Sequence, residues 1–401
     1  MGNLDLETSP PPHGDRALER STLSVAAFTA FIGPFMASAV NVALPAIQSD
    51  FNISAVVQSW IATAYLLSTS IFLVPIGKLS DIFGRKRVFA WGLFILILTV
   101  FLSAIAPNVS FLIIVRVVQG LGAAMVATTG MAILTSVFPV ERRGRAIGVY
   151  VASVYVGLSI GPTAGGILTQ HFGWRAIFIV VVPMAITALY ITLKYLKQEW
   201  REEPGERFDL AGAILYAASL VLLIYGATLL PRGDAAGFIL AGMAGLVAFF
   251  FREKKDPSPL FDVRLFIHNR VFAYSSLAAL INYAATFAVT FMMSLYLQYI
   301  KGLSPQAAGM ILISQPLVQA CLSPPAGRLS DRFEPGLLAT AGMALTTVGL
   351  FQLIFIGPET AIGHIVSILV TLGLGFALFS SPNMNAIMSS VEKRFYGLAS
   401  G

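Results

Sequence analysis

The sequence predicts an all-α polytopic membrane protein, and three observations carry that expectation. Of its 401 residues, 56% are hydrophobic and only 11% charged, against about 25% charged residues in an ordinary soluble domain. The apolar stretches are long and continuous, near the ~20 residues a helix needs to cross a bilayer, and lack the ~10-residue alternation of barrel strands. The lysines and arginines gather in alternate connecting segments. A mean hydropathy of +0.79 excludes a soluble globular protein and a disordered chain, and no dense basic face suggests nucleic acid. The single cysteine, Cys321, excludes an intrachain disulfide scaffold.

Twelve stretches read as spans: 22–45, 58–77, 87–106, 110–138, 146–169, 175–194, 209–231, 236–251, 271–297, 306–326, 337–356 and 363–387. With the N-terminus placed inside, the basic residues fall almost wholly on the inner side. Only Arg175, Arg232 and Lys301 lie outside, and Arg116 lies within a span. The positive-inside rule therefore predicts a cytoplasmic N-terminus, and the net charge of +6 records topology. The first apolar run is too long for a cleaved signal peptide.

The chain repeats itself. Gly77-Lys-Leu79-Ser-Asp81-Ile-Phe83 returns as Gly327-Arg-Leu329-Ser-Asp331-Arg-Phe333, each after a span running inward. Glu141-Arg142-Arg143-Gly144 is echoed by Glu392-Lys393-Arg394, with Gly397 just beyond. Spans 9–12 thus match spans 1–4, and spans 7 and 8 are inserted between two halves, an architecture common in transporters. The second half lacks counterparts of spans 5 and 6, and the closing Gly397-Leu-Ala-Ser-Gly401 resembles the start of a further helix. The expectation is a truncated chain with its last two helices missing. Its parts are a cytoplasmic tail (1–21), an N-terminal six-helix bundle (22–194), a linker with two inserted helices (195–270) and an incomplete C-terminal bundle (271–401).

Four local patterns stand out. After span 2 comes Gly77-Lys-Leu-Ser-Asp81-Ile-Phe-Gly84-Arg85-Lys86-Arg87. Gly77 would allow a tight exit from the helix and Gly84 a turn, with Asp81 and Arg85 paired across it. In span 4, Arg116 precedes Gln119 and Gly120, and an arginine inside a span costs ~2.5–3.5 kcal/mol on insertion scales. In span 5, Ser153, Gly157, Gly161 and Gly165 recur every fourth residue beside Pro162 and Gly166. This is a small-residue ridge on a helix that proline should bend, able to rock on a neighbour. Finally, polar groups at membrane depth need partners or a wet cavity. Asn41 with Pro45, Tyr65, Asn282, Tyr283, Gln315, Gln319, Asn383 and Asn385 are therefore cavity candidates, each of them more readily a helix-packing hydrogen bond than a substrate contact.

In this order the patterns resemble the major facilitator superfamily, and more narrowly its fourteen-span drug:proton antiporters of the EmrB/QacA type, from about Leu23 to Gly401. The resemblance implies a fold of two pseudo-symmetric helical bundles and a conformational latch at Gly77, Asp81, Gly84, Arg85 and Lys86, with Asp331 in the second half. It implies a role for Arg116, Gln119 and Gly120 in proton or substrate coupling. It also implies an export-associated rocking helix at Gly157, Gly161, Pro162, Gly165 and Gly166. The sequence departs from the pattern in three places. Met36 stands where the family often has an aspartate, Glu334 stands where the first latch has Gly84, and all 20 acids fall in loops or at span ends. A proton-coupled antiporter wants a buried group whose affinity for a proton can swing. Three explanations compete: a carboxylate in the missing spans, a boundary acid such as Asp50 or Asp209, or a neutral or anionic substrate with Arg116 as its counter-charge.

The expected function is alternating-access export of hydrophobic or amphiphilic compounds, coupled to protons. The alternative is a dedicated exporter of one neutral or anionic metabolite, and less favoured is a channel or non-transporting receptor. No HExxH, GxSxG, Walker or CxxC motif occurs, so enzyme chemistry, a cofactor and a metal site are not expected. The expected partners are a small-molecule substrate, protons and the lipid bilayer, for a monomer in the cell membrane.

Overall fold

The computed structural model describes residues 16–401 except 203, 204, 231, 257 and 304. Four of the acids placed above, Asp5, Glu7, Asp15 and Glu203, lie outside the described residues. The chain forms α1 (Arg16–Phe51), α2 (Ala55–Phe83), α3 (Arg85–Ala104), α4 (Val109–Val137), α5 (Val140–Phe172), α6 (Arg175–Tyr195), α7 (Leu210–Thr228), α8 (Ala235–Glu253), α9 (Val263–His268), α10 (Arg270–Leu295), α11 (Pro305–Leu312), α12 (Ser314–Ser330), α13 (Pro335–Leu353), α14 (Ile362–Ser390) and α15 (Tyr396–Ser400). Among the described residues, 12 helices are long and apolar enough to cross a membrane. Each expected span is found, and most are longer than their apolar run.

Capping side chains set several starts. Ser54 Oγ accepts from Val57 N–H at 3.4 Å, Asn108 Oδ1 from Phe111 N–H at 2.9 Å, Asp209 Oδ1 from Gly212 N–H at 3.0 Å and Asn269 Oδ1 from Phe272 N–H at 3.0 Å. Each satisfies one orphan donor of a helix terminus. The expected span at 306–326 is built from α11 and α12, which meet at Ile313, where the backbone ladder continues through Ile313 N–H to Gly309 O and Leu317 N–H to Ile313 O.

α1–α6 pack together, chiefly α1 on α5, α2 and α3 on α4, and α6 on α3 and α1. α10 and α12–α14 form a second group around α14. α7 and α8 pack on each other and touch the first group through α2. The groups meet at the end of the molecule that carries most of the basic residues, called here the basic end. There Met131, Ile147 and Tyr155 of the first half share one apolar cluster with Phe272, Phe376 and Met388 of the second.

The internal repeat is realised as two copies of one helix crossing. A Cβ on Gly77 would lie 2.8 Å from Gly397 O, and one on Gly401 would lie 2.6 Å from Leu73 O. In the other copy Gly327 meets Gly144 O, and a Cβ on Gly148 would lie 2.5 Å from Ser323 O. Helix backbones approach this closely only where no side chain intervenes. Gly77 is therefore not a helix exit, contrary to expectation. α2 runs on through Asp81 to Phe83, and only Gly84, at φ 109°, makes the turn.

The ridge on α5 is present, and the neighbour it packs on is α1. Gly157, Gly161 and Gly165 pack on Phe31, Ser38 and Ala39 of α1, within the same bundle. The contact between bundles is made lower on α5 by Gly144 and Gly148. Pro162 is exposed, and a Cβ on Gly166 would meet only Val42 Cγ1 at 3.8 Å. Gly161→Ala should thus lower stability by about 1–3 kcal/mol through overpacking, whereas Gly166→Ala should be neutral or raise it by up to about 1 kcal/mol through helix propensity. Thermal unfolding of the two variants in detergent checks the difference.

Candidate gate and transport site

The latch motif lies at the basic end, and the structure brings most of it together. Asp81 and Arg85 are 1% and 0% exposed. Burying two charges is tolerable only when they are paired and hydrogen-bonded. Arg85 Nε donates to Asp81 Oδ1 at 2.8 Å, Nη1 to Ser136 Oγ at 2.7 Å, and Nη2 to the Lys393 carbonyl at 2.6 Å. The last bond joins the two halves. Lys78 pairs with Glu206 at 2.5 Å, and the backbone N–H of Lys86 donates to Glu199 Oε1 at 2.9 Å.

Asp331 sits at the other crossing. Its Oδ1 and Oδ2 accept from the N–H groups of Gly144 and Arg145 at 2.6 and 2.9 Å. Burial raises its affinity for a proton above that of an ordinary carboxyl, and the two backbone donors partly oppose this. Glu334, at the position corresponding to Gly84, is the N-cap residue of α13 and does not disturb these bonds.

In the first bundle Arg116, Gln119, Gly120 and Tyr65 form a second cluster. Arg116 is 1% exposed and lies over the Tyr65 ring at 4.2 Å. Its Nε donates to Ile61 O at 3.1 Å and its Nη1 to Gln119 Oε1 at 2.9 Å. Gln119 Nε2 then contacts Met36 Sδ at 3.1 Å. Met36, at the position where an aspartate was looked for, thus completes the cluster without charge. Gly120 lets α4 reach α2, since a Cβ there would lie 2.7 Å from Tyr65 O.

The remaining polar candidates divide. Asn383 Nδ2 donates to Ser275 O at 3.0 Å and Asn385 Nδ2 to Ser330 Oγ at 3.1 Å, so both tie helices within their own bundle. Asn282 is buried with Nδ2 on Met343 Sδ at 2.9 Å, while its Oδ1 has no partner. Gln315 and Gln319 are buried, and Gln319 Nε2 has no partner. Asn41 and Pro45 are exposed on α1. Tyr283 bonds Ser380 at 3.3 Å and stacks edge-on with Phe376 at 5.3 Å, and Phe376 meets Tyr155 of α5 at 5.7 Å. Sequence reasoning missed Tyr155, Phe376 and Ser380, because aromatic residues and serines in apolar helices carry no signal of a contact between halves.

The described acids lie in loops or terminal turns, and the two boundary acids have structural roles. Asp50 holds Arg175 at 2.7 Å and Trp174 at 3.1 Å. Asp209 caps α7 and accepts from Arg252 at 2.8 and 3.0 Å, and that bonding keeps its carboxyl below the usual range.

Comparison with known proteins agrees with this architecture. The riboflavin transporter RibZ of Clostridioides difficile is 33% identical over 375 residues, covering 91% of this chain and 81% of that protein. The multidrug resistance protein Stp of Mycobacterium tuberculosis is 30% identical over 374 residues, covering 90% of this chain and 68% of that one. The tetracenomycin C resistance and export protein of Streptomyces glaucescens is 29% identical over 399 residues, covering 98% and 73%. Among solved structures, the proton:xylose symporter XylE superposes with a TM-score of 0.68 at 14% identity, over 96% of this chain and 86% of that one. Residues 26–401 match the family description "Major Facilitator Superfamily". This multi-pass membrane protein, a transporter and not an enzyme, belongs to the major facilitator superfamily.

Proposed function

We propose that the protein is a proton-coupled efflux antiporter for hydrophobic or amphiphilic compounds, working by alternating access as a monomer in the cytoplasmic membrane. The observation that carries the reading is the pair of closed crossings at the basic end, where Arg85 reaches Lys393 O and Asp331 reaches Gly144 and Arg145. The positive-inside rule makes that end cytoplasmic. The state is then closed toward the cytoplasm, and Gly77, Asp81, Gly84, Arg85, Lys86 and Asp331 act as its latch. Arg116 with Gln119, Gly120 and Tyr65 couples that gate to the substrate. The fourteen-span drug:proton type is favoured because α7 and α8 stand outside the repeat. Multidrug resistance and tetracenomycin C export in the names of two relatives support export.

A second reading, a dedicated exporter of a neutral or anionic metabolite, is favoured by one observation. Arg116 is held by neutral partners, with Met36 in place of a carboxylate. Transport in inside-out vesicles, with a lipophilic cation, a neutral polycycle and an anionic polycycle as probes, tests both. We expect accumulation of more than one probe, collapsing on addition of an uncoupler. Accumulation insensitive to the uncoupler removes proton coupling, and transport of the anion alone selects the second reading.

A further inference from the structure

The segment that leaves α6 does not run free to α7. Leu196 is 1% exposed and Trp200 8% exposed, and both belong to the core of the first bundle. Between them the chain lies along the α2–α3 turn and bonds it on three sides. The Trp200 carbonyl accepts from the Arg85 N–H at 2.9 Å. Glu199 Oε1 accepts from the Lys86 N–H at 2.9 Å, and its Oε2 lies 3.8 Å from Arg87 Nε. Arg201 Nε donates to the Ile82 carbonyl at 2.6 Å. Glu202 approaches Arg85 Nη1 at 3.9 Å, and Glu206 holds Lys78 at 2.5 Å.

This contact explains a difference between the two repeats. A Cβ on Gly84 would lie 2.6 Å from the Glu199 carboxyl, in a backbone conformation of positive φ. Glycine is needed there for the positive φ, which other residues rarely adopt, and the Glu199 carboxyl fills the space beside it. The corresponding turn after α12 carries the exposed Glu334, whose backbone is at φ −56°. None of the hydrogen bonds and ion pairs of the described linker residues given above goes to that turn. The two latches look alike in sequence, yet the bonds given above for the described linker residues go to the first.

We propose that the linker is a working part of the basic-end gate, with Glu199, Trp200 and Glu206 as positioning residues that hold the α2–α3 turn where Arg85 can reach Lys393 of the second half. The physical chain is short. The backbone N–H groups of Arg85 and Lys86 begin α3, and their acceptors are Trp200 O and Glu199 Oε1. The second of these, to the Glu199 carboxylate, is charge-assisted and of the stronger kind. Releasing the turn frees the first turn of α3 to shift, and Arg85 Nη2 loses its register with the Lys393 carbonyl. The tie between the halves on the α2–α15 side weakens, while the α5–α12 side, held by Asp331, does not depend on the linker.

The proposal rests on the alternating-access reading and is tested separately from it. In the full chain with Cys321→Ser, spin labels at Val140→Cys and Phe333→Cys report the α5–α12 side. Labels at Trp91→Cys and Arg394→Cys report the α2–α15 side. Distances are measured by pulsed electron resonance in lipid nanodiscs for the wild-type linker, Glu199→Gln, Glu206→Gln and, as a control, Glu359→Gln. We expect Glu199→Gln and Glu206→Gln to lower the closed-to-open ratio on the α2–α15 side at least about fivefold, a coupling typical of conformational switches. Glu359→Gln should leave it unchanged. Glu206 is partly exposed, so its variant keeps the test valid if Glu199→Gln fails to fold. Unchanged distances in Glu206→Gln overturn the proposal, as does restoration of nothing by Glu199→Asp where Glu199→Gln has opened the gate. A wild-type chain that shows one distance at every substrate concentration, with a normal response to Glu206→Gln, counts against alternating access and leaves the linker's role standing.

Discussion

Gly144→Val is expected to stop transport while leaving the protein folded. Gly144 faces Gly327, Ser330 and Asp331 across the two halves, and a Cβ there would lie 2.6 Å from Asp331 Oδ1 and closer still to Gly327 O. Backbone oxygen cannot swing aside as a side chain can, so the helices must separate. Overpacking of this kind costs about 1–3 kcal/mol, which shifts a two-state equilibrium about 5–150-fold. The penalty applies only when the basic end is closed, because the α1–α5 packing that holds the bundle lies higher on the helix, at Gly157, Gly161 and Gly165. The measurement is transport together with the α5–α12 label distance. A variant that transports at more than a tenth of the wild-type rate would show that this crossing does not limit the cycle.

Arg116→Leu is the second large effect. Removing the guanidinium relieves an insertion cost of ~2.5–3.5 kcal/mol. It also leaves Ile61 O and Gln119 Oε1 without their donor, at about 1–3 kcal/mol each. The terms nearly cancel, so unfolding in detergent should differ little from wild type. Transport should nevertheless fall by roughly 10–100-fold, the worth of one hydrogen bond to a charged group. Arg116→Lys keeps the charge but loses the planar fork that serves Ile61 O and Gln119 together, and should recover only part of the rate. A folded Arg116→Leu protein with a full rate would place Arg116 among structural residues only.

Much of the molecule was legible in advance, for reasons of solvent. A bilayer leaves a backbone no alternative to helix, so apolar runs read directly as spans. The recurrence of Gly77–Phe83 at Gly327–Phe333 predicted two halves. The ion pair of Asp81 with Arg85 was expected across the turn at Gly84 and forms there, between the last turn of α2 and the first residue of α3, although α2 runs further, through Asp81, than the glycine at 77 suggested. Lys78, Ser80 and Asp81 are buried by neighbours from elsewhere in the chain, and the helix continues because those neighbours shield it from solvent.

Other assignments were beyond any local pattern. The glycines of α5 have one spacing, yet Gly144 and Gly148 face the other half while Gly157, Gly161 and Gly165 face α1. Periodicity gives a helix face but not the helix that covers it. Asn383 and Asn385 could be read either as cavity groups or as packing bonds, and only the fold brings them onto Ser275 O and Ser330 Oγ within their own bundle. Asp331 looked like a weakened copy of Asp81 because Glu334 follows it, and it proves to be bonded to α5 through both oxygens.

The sequence by itself determined the class, the number of crossings, the distribution of charge and the existence of a repeat, because each follows from the hydrophobic effect acting on one segment at a time. Only the tertiary structure decided which glycines meet across the halves, that Met36 closes the Arg116 cluster, and that the linker docks on the first latch. Those are contacts between residues far apart in the chain, and they depend on where two helices cross, which no single segment encodes.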